Sequence, residues 1–256
     1  MKSLLRALVF SLAAYCIALP ARSGAQTSPS KDDMEILRLF ATPIGALPAI
    51  SLPMPGSRNN SNLIARLQSG YRKGPSGTSL PATAVGLDLQ YMGGSVLGVT
   101  AGAQKRDCRI VESCGYHPLF GARTQLNIIT GGSTLAGLLR DNSTTSTLGA
   151  EFGVGYAPHV TPSMSACSAD FGLPFSVAKR RQRPRFVGYI TPGIVWDTDC
   201  GKGNLRKDHS YFTGFGFGLQ QVTNRSLDVY FGFQKVFRRH AGSEIGITVS
   251  YVKLPR

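Results

Sequence analysis

From residue 59 to the end of the chain, apolar and small or polar residues take turns. In residues 211–219 the odd positions are Tyr211, Thr213, Phe215, Phe217 and Leu219, and the even ones are Phe212, Gly214, Gly216 and Gly218. After a short polar break, Leu227, Val229, Phe231 and Phe233 alternate with Asp228, Tyr230, Gly232 and Gln234. Period two is the signature of a strand with two unlike faces. The same reading places strands around Leu63–Tyr71, Val85–Tyr91, Ala122–Ile128, Leu148–Tyr156, Phe171–Val177 and Ile245–Tyr251, with weaker ones over residues 95–105 and 185–196. That makes ten strands, or eight if the weaker two fail. No amphipathic helix of useful length lies between them, so the sheet is predicted to be antiparallel.

The composition of the second face decides between two architectures. A soluble sandwich turns its polar face to water and carries Lys and Glu there. Here that face is Gly, Ser, Thr and Gln. Glycine is a poor strand residue, but it leaves room for side chains inside a narrow, curved barrel. Tyr71, Tyr91, Tyr156, Tyr211 and Tyr251 fall near predicted strand ends, where an interfacial girdle belongs. The expectation is an all-β, antiparallel transmembrane β-barrel with apolar residues in lipid. Connections at 72–82, 106–121, 158–170 and 197–209 are expected to be long and to share the end opposite the termini. Those at 93–94, 180–184 and 221–225 are expected to be short; 131–144 and 238–243 depart from this rule.

The N-terminus fits export. Lys2 and Arg6 precede a short apolar core, Ala7 to Leu19, and Ser23-Gly24-Ala25 offers a cleavage site. Residues 1–25 read as a secretory signal peptide. Residues 26–58 read as a periplasmic lead-in: SKDDMEILRLF for one short helix, with Ser30 and Asp33 at capping-box spacing, then a proline-rich extended stretch. Residues 59–256 form the barrel. Removing Lys2, Arg6 and Arg22 from 28 basic residues leaves 25 against 14 acidic ones, an excess of +11. In an exported chain such an excess points to anionic lipid or polysaccharide, or to a solvated surface, and argues against nucleic acid.

Four cysteines survive cleavage: Cys108, Cys114, Cys167 and Cys200. An even number in an exported chain suggests two disulfides. The expected topology puts all four in the long loops of one end and favours Cys108–Cys114 and Cys167–Cys200 among three possible pairings. Their spacings do not suit zinc.

The signal peptide, glycine-spaced aromatic strands and terminal amphipathic strand resemble the small outer-membrane β-barrels of Gram-negative bacteria, the OmpA-like and Opa-like group. The resemblance covers roughly residues 60 to 256. It implies bacterial outer-membrane localisation, with membrane lipid, lipopolysaccharide and the barrel-assembly machinery as partners. One departure is plain: Tyr251 is followed by Val-Lys-Leu-Pro-Arg, whereas such barrels usually end on an aromatic residue.

Arg66, Asp88, Arg123, Glu151, Asp228 and Glu244 share the predicted inner face, where charges must be paired or hydrated. They read either as a salt-bridged plug or as the lining of a narrow pore; a barrel of eight or ten strands has little free lumen. In the run KRRQRPR, Lys179, Arg180, Arg181, Arg183 and Arg185 sit at a predicted turn. They read as a solvated turn or as contacts to lipid head-group phosphates. His209-Ser210 and His240 with Ser243 and Glu244 are the only groupings suggestive of a hydrolase, and neither matches a signature. No catalytic, cofactor or metal site is expected, and no enzyme activity. The expected role is structural or surface-interaction, with disulfide-tied outer loops. The alternatives are a narrow solute or ion channel, a soluble exported β-sandwich binding protein, and a lipid-modifying enzyme.

Overall fold

A computed structural model describes residues 62–73, 79–90, 96–106, 115–131, 144–161, 164–179, 184–200, 208–224, 227–238 and 242–253. The expected signal peptide and lead-in lie outside these. The described residues form eleven strand segments. They are β1 (Asn62–Lys73), β2 (Ser79–Gln90), β3 (Val96–Arg106), β4 (Gly115–Gly131), β5 (Thr144–Thr161), β6 (Met164–Gly172), β7 (Phe175–Lys179), β8 (Arg185–Asp199), β9 (Asp208–Asn224), β10 (Leu227–Arg238) and β11 (Gly242–Lys253).

All pairings are antiparallel, and they return on themselves. β1 pairs with β2 on one side and with β11 on the other, and β4 pairs with β5. β6 and β7 share one place between β5 and β8. β6 faces the second half of β5 and β7 the first, while both pair with β8 in one register. Eleven segments therefore take ten places. The interruption falls at Leu173-Pro174, because proline has no N–H for the ladder. The backbone still bridges the gap: Leu173 N–H donates to Pro192 O and Gly149 N–H donates to Pro174 O, both at 2.9 Å.

The ring is staggered. One way round, Leu67 leads through Val85, Ala101, Phe120, Tyr156 and Cys167 to Thr198 on β8. The other way, it leads through Val249, Phe231 and Leu219 to Phe186 on the same strand, twelve residues from Thr198. Such a shift tilts the strands of a closed sheet, by about 40° in barrels of this kind. We call the end where β1 starts proximal and the end where it finishes distal.

The two faces are inverted relative to a water-soluble protein. Large apolar side chains point outward: Val85, Val99 and Ile128 are 58%, 57% and 61% exposed. Charged and polar ones point inward: Arg66, Asp88, Arg123 and Glu151 are each 3% exposed or less. On β8 the outward apolar run goes from Phe186 to Trp196. At about 3.3 Å per residue along a tilted strand it spans roughly 25 Å, the height of a barrel's lipid-facing band. Tyr71, Tyr156, Trp196 and Tyr211 are exposed near the distal ends of their strands.

Several expected loops are corrected. β5 and β6 are separated only by residues 162–163, where a long connection over 158–170 was expected, and 74–78 replaces 72–82. The longest gap between segments, 132–143, lies at the proximal end, so loop length does not distinguish the ends. Strands continue through turn-forming residues because hydrogen bonding to the neighbour outweighs local preference. The β5–β6 register shifts between Ala157 and Thr161, and His159 there takes a positive φ of 47°.

Candidate functional site

The interior is built from residues of alternate phase that register brings level. Arg66 on β1 reaches Asp88 on β2 through Nε–Oδ2 at 2.6 Å and Nη2–Oδ1 at 3.0 Å. Its Nη2 also donates to Thr100 Oγ1 at 3.3 Å. Arg123 on β4 contacts the same carboxylate, Nη2–Oδ2 at 2.8 Å, and lies 3.9 Å from Glu151 Oε1 on β5. Two guanidinium groups and two carboxylates thus form one buried, alternating bar across a wall of five strands. In a low-dielectric interior only such mutual pairing makes the charges tolerable.

Glycine explains how the bar fits. β3 contributes Gly98 beneath it. A Cβ there would collide with the Asp88 carboxylate and come within 3.3 Å of Arg123 Nε. At Gly86 it would come within 2.6 Å of Arg66 Nη2. The opposite wall uses the same device for rings. Phe212 lies over Gly193 and Gly172, and Tyr189 over Gly216 with its hydroxyl 2.6 Å from a Cβ built there. Asp170 is buried against Gly153 in the same manner.

Of the six inner-face charges expected from the alternation, the structure brings Arg66, Asp88, Arg123 and Glu151 together. Asp228 and Glu244 fall among residues whose side chains are outside the described set. Of the basic run, Lys179 is exposed at the proximal end of β7, and the side chains of Arg180, Arg181, Arg183 and Arg185 are likewise outside it. Cys167 and Cys200 form a disulfide. Cys167 is not in a loop, as expected, but within β6, two ladder places from Cys200, which directly follows β8. The staple therefore joins two adjacent strands at the distal end. Cys108 and Cys114 lie outside the described residues.

His209 and Ser210 do not form a dyad. Ser210 is buried inside, while His209 is exposed and meets Tyr211 edge-on at 6.3 Å. Among the described residues no three or more His, Cys, Asp or Glu side chains group as metal ligands would. The pattern did not flag Arg106, which is buried and donates to the carbonyls of Pro158, at 2.7 Å, and His159. It thereby holds the irregular end of β5. Its phase relative to Gln104 was the one available signal.

No family model matches the chain, and no curated protein matches it in sequence. Among solved structures, the beta domain of the Bordetella autotransporter BrkA superposes with a TM-score of 0.45 at 10% identity, covering 76% of this chain and 99% of that one. The outer-membrane protease OmpT of Escherichia coli gives 0.39 at 8% identity, with coverages of 80% and 98%. Neisserial surface protein A gives 0.37 at 9%, with 75% and 96%. These scores are all below 0.5, and the architecture rests instead on strand pairing and on the inversion of the two faces.

Proposed function

We propose that this chain is a bacterial outer-membrane β-barrel with a structural or surface-interaction role and a plugged lumen, exported through a cleaved signal peptide. One observation carries the reading: the outward face is apolar and exposed, and the inward face holds buried charged and polar side chains among apolar ones. In water that arrangement loses the hydrophobic driving force, whereas in a bilayer it gains it. The Arg66–Asp88–Arg123–Glu151 bar supports a plug. The Cys167–Cys200 staple steadies the distal end, where the surface interaction would take place. Lys179 and its basic neighbours would meet phospholipid head groups at the proximal end. The barrel-assembly machinery would be the partner that seats β11 against β1.

A second reading, a narrow solute or ion path, is favoured by buried polar atoms without protein hydrogen bonds. Arg66 Nη1, Glu151 Oε2, Thr147 Oγ1 and Thr191 Oγ1 are of this kind. Such atoms are commonly satisfied by water. Detergent refolding with a heat-modifiability gel, followed by planar-bilayer conductance, tests both readings. A heat-modifiable, non-conducting protein fits the plug. Discrete conductance replaces it with the path. A stable fold in water and none in detergent removes the membrane barrel.

A further inference from the structure

Outward-facing positions between the strand ends are apolar or small almost without exception. The exception is Lys235 on β10. It is half-buried, shares the phase of Phe233 and Phe237, and pairs in the ladder with Phe215. Among the described outward residues it is the one charge set inside the apolar band, since Lys105 and Lys179 stand at strand ends. A cation in that position is costly unless something neutralises it or lets it reach the interface.

The structure shows where it reaches. The Lys235 ammonium lies 4.6 Å from the centroid of the Phe237 ring. Phe237 is two residues nearer the distal end of β10, so the stem runs along the wall toward that end. This is the snorkelling direction of a long cationic side chain. Phe215 and Phe237, with centroids 5.8 Å apart, form an aromatic bed beneath it. A cation–π contact stabilises the ammonium in part and leaves its charge uncompensated. No carboxylate pairs with it among the described residues.

We infer that Lys235 is a docking point for the phosphate of an anionic lipid in the distal leaflet, with the acyl chains lying over Phe215 and Phe237. This inference rests on the membrane reading above. Charge complementarity selects the occupant. The site offers one ammonium at the edge of an apolar wall, and a phosphate carried on acyl chains supplies the matching charge and the matching surface.

The test uses the full mature chain refolded in octyl glucoside, which carries no phosphate. Phosphatidylglycerol and phosphatidylcholine are added in equal amounts, and retained lipids are counted by native mass spectrometry. The expected result is a preference for phosphatidylglycerol that falls about fivefold in Lys235→Gln, is restored in Lys235→Arg, and is kept in Lys105→Gln. An unchanged preference in a folded Lys235→Gln protein overturns the inference and leaves the barrel reading standing. So does a protein dimer that Lys235→Gln dissociates without altering lipid retention, because a second copy would then cover the site. Failure of the unmodified chain to fold in detergent takes down both.

Discussion

The two halves of the barrel interior solve one problem with different chemistry. The wall of β1 to β5 is filled by charges, Arg66, Asp88, Arg123 and Glu151, in contact from strand to strand. The wall of β6 to β9 buries Asp170 and Asp197 among hydroxyl side chains, but its large fillers are the rings of Tyr189 and Phe212. In both, long side chains lie flat over glycine. The comparison separates two roles the alternation runs together. Glycine supplies volume in either half, while the filler sets what happens on truncation. An ion-pair bar depends on every member, because a buried charge without its partner is penalised far more than a buried gap. A ring lying over glycine loses contacts in proportion to the volume removed.

The largest predicted effect breaks the charged half. Asp88 bridges both arginines, so Asp88→Ala leaves two buried guanidinium groups facing each other. We expect a loss of about 3–5 kcal/mol, enough to abolish the folded band on a heat-modifiability gel at moderate urea. Phe212→Leu is the matched change in the other half and is expected to cost less than about 1.5 kcal/mol. Equal urea midpoints for the two variants would mean the bar is water-filled and the contrast between the halves is not energetic.

The ring-filled half also carries the covalent tie. Cys167 and Cys200 join β6 to β8 across 33 residues at the distal end, away from the place where Pro174 interrupts the ladder. Closing a loop of that size is worth about 3.7 kcal/mol in chain entropy. The double variant Cys167→Ser with Cys200→Ser should lower the urea midpoint correspondingly. The same variant should remove the sensitivity of that midpoint to reductant. Persistent sensitivity would assign the effect to other cysteines.

Much of this is legible in the alternation. Phase alone places Arg66, Asp88, Arg123 and Glu151 on the inner face, because a strand sends every second side chain the same way. Their meeting is not legible. It depends on the register of β1, β2, β4 and β5, which hydrogen bonding sets between segments far apart in sequence. Lys235 can be found by extending the phase of Phe231 and Phe233 by one step. The β5–β6 connection is hidden because Pro158 looks like a loop residue; the strand accommodates it through an irregular register near His159. The alternation runs Phe171 to Val177 as one strand, so the shared place of β6 and β7 is legible, while the break at Leu173-Pro174 is not.

The smallest predicted effects test whether glycine does the same job in both halves. Gly98→Ala puts a methyl against the Asp88 carboxylate, and Gly216→Ala puts one 2.6 Å from the Tyr189 hydroxyl. Each should cost about 1–3 kcal/mol, the usual penalty of overpacking. Gly188 is the control, because it lies in the same sheet but on the outward phase of β8. A Cβ there has its nearest neighbour at 3.8 Å, the Phe186 ring. Gly188→Ala should therefore be stabilising by about 0.4–1 kcal/mol, since alanine restricts the unfolded chain without straining the folded one. Opposite signs for inward and outward glycines, read from urea midpoints, would tie the glycine pattern to lumen volume. A loss at Gly188 as large as at Gly98 would make glycine a requirement of sheet curvature instead, and the two halves would then differ in filler but not in the reason for their shared floor.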